Sequence, residues 1–258
     1  MRFVVSLLLI FSFTSSFSQV NTERYFQDYK SEGFMYSNSF GFNFATGNTN
    51  YFELSNRFRL DFNGPDQDYF AITEYTYRTA NSRKSSNKGF LHLRTIRDLG
   101  DSRFLLVEGY TQIQFDEFLL LRNRMLLGGG FRFDPVALLD SISRKENKLK
   151  IFLGTGIFYE FEKYSIYPTE KSSLMRSSNY LSFVWSASKH ININLVNYYQ
   201  PALEDFTNFR YALNLALSTQ ITGKLFYELR LEFTHRSVPF AGRKPSDLDV
   251  KNNLRFSF

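Results

Sequence analysis

The sequence predicts an all-β chain: a closed antiparallel transmembrane β-barrel of about 12 strands in an up-and-down meander. Three observations carry that prediction. From Phe34 onward, apolar and polar residues alternate with a period of two, which puts one kind of side chain on each face of a strand. Phe and Tyr account for 30 and 16 of the 258 residues, an aromatic content that excludes a disordered chain. Mean hydropathy is -0.30 with 22% charged residues, which excludes a bundle of membrane helices, each needing about 20 consecutive apolar residues. With no cysteine in the chain, a disulfide scaffold, a thiolate metal site and a cysteine nucleophile are excluded as well.

The N-terminus reads as an export signal over residues 1–18. Met1-Arg2-Phe3 supplies a positive charge, Val4–Phe11 an apolar run, and Ser16-Phe17-Ser18-Gln19 small residues for a cut after Ser18. A lipid-anchored form is excluded because no cysteine follows the run. Residues 19–33 form an N-terminal periplasmic segment, and 34–258 the barrel. The formal net charge of +6 comes from residues spread along the strands, not from blocks, so a nucleic-acid patch is not indicated.

In the first strand Phe34, Tyr36, Phe40, Phe42 and Phe44 share a face; in the second, Phe52, Leu54, Phe58, Leu60 and Phe62 do, opposite Glu53, Arg57, Arg59 and Asp61. The remaining strands fall at about 69–79, 89–97, 103–115, 120–133, 149–162, 176–187, 190–199, 208–219, 224–235 and 247–258, close to the 9–11 residues that cross a bilayer at a tilt. In each, the charged side chains are expected opposite the apolar face, as Glu228, Arg230 and Glu232 stand opposite Leu225, Tyr227, Leu229, Leu231 and Phe233. A soluble sandwich also alternates, but its strands cluster near five or six residues and it needs no aromatic girdles.

Short turns around Asn63–Asp68, Asp98–Ser102, Ser188–Lys189 and Gln220–Gly223 suit the periplasmic side, and longer connections at Ala80–Lys88, Lys163–Met175, Gln200–Thr207 and Arg236–Ser246 the outer side. Thr46–Asn50 and Asp134–Lys148 break this rule. The latter reads as a short periplasmic helix near 135–143: Asp134 suits the N-cap, Pro135 the first helical position, and Val136, Leu138, Leu139 and Ile142 one face. The Gly128-Gly129-Gly130 run lacks the following Lys-Ser/Thr of a phosphate loop; within a strand it predicts a bend.

The chain closes on Leu254, Phe256 and Phe258, an alternating aromatic end that resembles the signal read by the outer-membrane insertion machinery. Gly41–Asn50, with its Ala45-Thr46-Gly47-Asn48-Thr49 turn, and Leu121–Gly130, an arginine-then-glycine strand, resemble salt-induced outer-membrane proteins, a family of unestablished molecular role. The leader and the Phe/Asn/Lys-rich composition are similar to those of Bacteroidetes-type proteins. These resemblances imply an outer-membrane barrel and no particular chemistry.

Candidate lumen-lining residues are Arg57, Arg59, Arg122, Arg124, Arg132, Glu228, Arg230 and Glu232. Arg122, Arg124 and Arg132 share one inward face, either lining a weakly anion-selective pore or pairing with acids such as Glu108 and closing it. Inward aromatics (Tyr51, Phe70, Tyr110, Phe152, Phe158, Tyr180, Tyr198, Phe226) narrow the lumen further. His235, with Asn197 and Thr207 as possible neighbours, is the one candidate for a phospholipase-type site; no serine lies in a nucleophile motif. His92 is expected in the lumen. The expectation is an integral outer-membrane protein, a narrow channel or structural barrel without enzyme activity. A scaffold or accessory subunit of an outer-membrane complex is the alternative, and a phospholipase-type lipid hydrolase the second. Expected partners are outer-membrane lipid, lipopolysaccharide, the insertion machinery and an unidentified protein, with no nucleic acid; no cofactor or metal is expected.

Overall fold

The computed structural model describes residues 32–47, 50–100, 104–138, 148–166, 170–188, 190–223, 225–240 and 243–256. The export signal, most of the 19–33 segment, Leu139, Ile142 and Phe258 lie outside them. Twelve strands follow one another: β1 (Gly33–Ala45), β2 (Tyr51–Asn63), β3 (Gln67–Ala80), β4 (Arg83–Asp98), β5 (Leu105–Asp116), β6 (Leu121–Phe133), β7 (Lys148–Tyr164), β8 (Lys171–Ser186), β9 (Ile191–Pro201), β10 (Phe209–Gln220), β11 (Leu225–Arg236) and β12 (Ser246–Phe256). They form one antiparallel sheet in sequence order, the expected up-and-down fold. No ladder joins β1 to β12 among the described residues. The sheet nevertheless curls round a lumen, because side chains of β7 meet those of β10 and β11, and side chains of β4 and β5 meet one of β8. The end at which β1 starts is called proximal here, and the end at which it finishes distal.

The polarity of the wall is inverted relative to a soluble protein. Leu127 and Ile157 on the outward face are 67% and 53% exposed, whereas Arg132 and Glu160 on the inward face are 0% exposed. The aromatic residues of the outward face gather at both ends. Phe34, Phe62 and Tyr69 pack at tilted angles at the proximal end, and Phe42, Phe52 and Tyr77 edge to face at the distal end. Between these bands the outward face is Leu91, Leu93, Ile113, Leu153 and Leu181. Arg97 departs from the expected charge-free outward face; it is exposed at the proximal end of β4.

Two connections are shorter than expected. The 80–88 segment is a two-residue turn in which Asn81 and Ser82 both take positive φ (48° and 62°). A hairpin turn of this twist needs that geometry at both central residues, so β4 starts already at Arg83. Likewise β7 runs to Tyr164 and β8 starts at Lys171. The helix α1 (Pro135–Leu138) starts where expected, with the Val136 amide donating to Asp134 Oδ1 at 3.1 Å.

Candidate functional site

The candidate site is the lumen. Its distal half, on the β6–β11 side, is filled by an ionic network. Glu160 and Glu162 lie two residues apart on β7, so alternation points both inward. Arg124 of β6 donates from Nε to Glu160 at 2.6 Å, and Arg176 of β8 from Nε to the same carboxylate at 2.7 Å. Arg210 of β10 reaches Glu160 at 2.6 Å and Glu162 at 2.8 Å, and Arg236 of β11 pairs with Glu162 and donates to Tyr164 Oη at 2.6 Å. Four guanidinium groups from four strands thus converge on two carboxylates. Above them Tyr164 stacks on Phe240 with ring centres 4.1 Å apart, over an apolar cluster of Leu119, Leu121 and Ile166.

A second bridge crosses nearer mid-height. The Tyr180 hydroxyl of β8 donates to Glu108 of β5 at 2.9 Å and accepts from Arg94 Nη2 of β4 at 3.0 Å, while Arg94 also pairs with Glu108. The glycines make this crossing possible. A Cβ on Gly154 would fall within the Tyr180 ring, one on Gly128 would strike Phe158, and Gly130 faces Gly156 with no room for a side chain on either. The triple glycine of β6 therefore serves close approach, not the expected bend: small inward positions leave the volume that transverse rings occupy.

On the other side, β1–β5 and β9–β12 enclose a cavity of about 850 Å³. Its wall carries two ion pairs, Arg57–Glu74 at 2.5 Å and Arg78–Glu53. Arg230 and Lys251, directly opposite in the β11–β12 ladder, face it from the far bank with Glu232.

Residues 38–258 match the family described as "Protein of unknown function, DUF481". The chain belongs to this family. No curated protein matches it. Among solved structures it is similar to the NanC porin, at 10% identity over 80% of this chain and 94% of that one with a TM-score of 0.44. It is also similar to the translocator domain of the autotransporter NalP from Neisseria meningitidis, at 11% identity over 90% of each chain with a TM-score of 0.43.

In this DUF481 barrel the predicted lumen residues separate into groups. Arg124 belongs to the distal network. Arg59 is buried against Asp61, its Nε 2.6 Å from Oδ2. Arg132 lies 3.8 Å above the Phe152 ring at the proximal end. Arg57, Arg230 and Glu232 line the cavity, and Glu228 sits on the same inward face of β11, opposite Ser218. Arg122 does not share the face of Arg124 and Arg132: it is exposed. The β6–β7 register shifts between Leu121 and Asn123, and such a bulge reverses alternation locally; Leu121 takes the inward place and packs on Tyr164. The expectation that the arginines pair with acids on neighbouring strands holds for Arg124 with Glu160. Sequence reasoning missed Glu160 and Glu162 as the centre of that network, although their spacing on one inward face was the available signal.

His92 is in the lumen, its ring stacked between Phe90 and Tyr110, with Nδ1 3.2 Å from Gln112 Oε1. His235 is on the outward face near the distal end. Its Nδ1 is 2.8 Å from Ser246 Oγ, its cross-strand partner, and its ring lies against Phe209. Asn197 donates to Tyr211 instead, and Thr207 binds Asp205. Of the insertion-signal residues, Leu254 is outward and exposed, while the Phe256 side chain and Phe258 lie outside the described residues. Two loop acids are tuned by neighbours: side-chain bonds from Lys84 and Asn87 hold Glu117 below the usual carboxylate range, and Thr207 does the same for Asp205. Among the described residues no cluster of three or more His, Asp or Glu is arranged to hold a metal ion.

Proposed function

We propose that the protein is an integral outer-membrane β-barrel without enzyme activity, acting as a narrow channel whose open path runs off-centre through the 850 Å³ cavity. The inverted wall carries this reading: buried arginine and glutamate inside, exposed Leu and Ile outside, aromatic bands at both ends. Such a surface is unfavourable in water and favourable in lipid, where aromatic girdles sit at the two interfaces. Outer-membrane lipid and lipopolysaccharide are its surroundings and the insertion machinery its assembly partner. The likeness of Gly41–Asn50 and Leu121–Gly130 to salt-induced outer-membrane proteins supports the same location, as the leader supports a Bacteroidetes-type source.

The two transverse bridges favour a second reading, a scaffold barrel whose lumen is plugged for rigidity and whose role is to hold a partner. Planar-bilayer recording of the refolded protein separates the two. Discrete conductance whose reversal potential shifts toward cations in Arg230→Glu with Lys251→Glu supports the channel; a silent bilayer supports the scaffold. The His235–Ser246 contact is the observation behind a lipid-hydrolase reading. Turnover of phospholipid that disappears in Ser246→Ala would replace the channel reading with that one.

A further inference from the structure

The distal network has more positive than negative charge. Arg124, Arg176 and Arg210 are each no more than 2% exposed, and with Arg236 they meet Glu160 and Glu162. A guanidinium group cannot shed its proton in a protein, so the excess cannot be neutralised by titration. Burying net charge away from water is costly unless a counter-charge accompanies it. Donors also outnumber acceptors: the Nε of Arg210 has no acceptor among the described residues.

Beside this network lies a narrow space of about 40 Å³. Arg124 belongs to both, and Arg94, Gln112, Ser178, Tyr110 and Gln200 bring further donor groups to its wall. The one carboxylate on that wall, Glu108, is already held by Arg94 and Tyr180. A space of this size accepts a few water molecules or a monatomic ion with a water beside it. Water fits but leaves the charge excess unchanged.

We propose that this space is a binding site for a small monovalent anion of halide size. The ion lies among the Arg124 and Arg94 guanidinium groups and the Ser178 hydroxyl, and offsets the charge of the arginine network. It is a structural anion held inside the wall of the plug, separate from the path through the larger cavity.

The test uses the full chain refolded in detergent, with thermal unfolding followed at constant ionic strength in sodium chloride, bromide and gluconate. Gluconate is too large for the space and serves as the control anion. Chloride and bromide are expected to raise the unfolding midpoint saturably above gluconate, and Arg124→Gln to abolish the difference. Because that variant removes a network member and can fail to fold, Ser178→Ala is the second: it leaves the ion pairs intact and is expected to weaken apparent halide affinity at least tenfold. Identical midpoints in the three salts, or a halide effect unchanged in Ser178→Ala, overturn the proposal. So does a bromide-soaked crystal with water and no anomalous signal in the space.

Discussion

Replacing Glu160 by Gln removes one negative charge from the centre of the distal network at nearly constant shape. The carboxylate is 0% exposed and accepts from Arg124, Arg176 and Arg210 at 2.6–2.7 Å. The amide keeps one acceptor oxygen and turns two donor hydrogens toward guanidinium groups that are themselves donors. Breaking one side of a buried ion pair costs about 3–5 kcal/mol, because the partner charge stays buried. Glu74→Gln is the internal control. Its partner Arg57 has a side chain 53% exposed, and a solvent-exposed pair contributes only about 0–1 kcal/mol. Urea unfolding in lipid vesicles measures both. The single tryptophan, Trp185, lies outward near the proximal end and reports unfolding by its emission. A Glu160→Gln loss no larger than that of Glu74→Gln would show the network to be hydrated and would refute its reading as a dry ionic plug on one side of the lumen.

Charge on the two faces of β11 should act oppositely: Leu229→Arg should cost about 2–4 kcal/mol in the same urea assay, whereas Arg230→Ser, on the cavity bank, should cost less than half of that. Gly154→Leu should displace the Tyr180 ring and with it the bonds to Glu108 and Arg94, costing at least the roughly 1–3 kcal/mol of an overpacked core. Gly109→Ala, with only Thr95 Cγ2 at 3.6 Å, should be nearly neutral; equal effects would mean the crossing is not formed. Glu117 carries a carboxyl depressed by Lys84 and Asn87. Its tie is therefore present above the ordinary carboxylate range and lost as pH falls through the depressed folded value. Protection of the amides in the Glu117–Leu120 turn, corrected for the intrinsic pH dependence of exchange, should fall on acidification in the wild type and be insensitive to that step in Glu117→Gln.

How far the sequence reached depends on the range of the interaction. Alternation is local, so the strands and their facing were legible: Leu225, Tyr227, Leu229, Leu231 and Phe233 share a face whatever the rest of the chain does. Asp134 as a helix cap was legible for the same reason, since its bond closes within two residues. Arg122 was not, because the bulge that turns it outward depends on Leu121 finding Tyr164 and Phe240, which lie far along the chain. The network could not be read either: Arg236 and Glu162 belong to strands that are not neighbours in the sheet, and only its curvature brings them together. The glycines illustrate the same limit. Their run was visible, but the ring that needs the space, Tyr180, lies on β8.

If the apolar face meets lipid and the charged face a protein-lined lumen, successive residues of one strand must alternate in what reaches them. The chain has no cysteine, so single-cysteine variants at consecutive positions 227–233 of β11 can be spin-labelled without background. In lipid vesicles the labels at 227, 229, 231 and 233 should relax with oxygen dissolved in the bilayer, and those at 228, 230 and 232 should not. A water-soluble nickel complex reaching the odd positions would contradict that arrangement and mark the outward face as the surface of a soluble or partner-covered sheet.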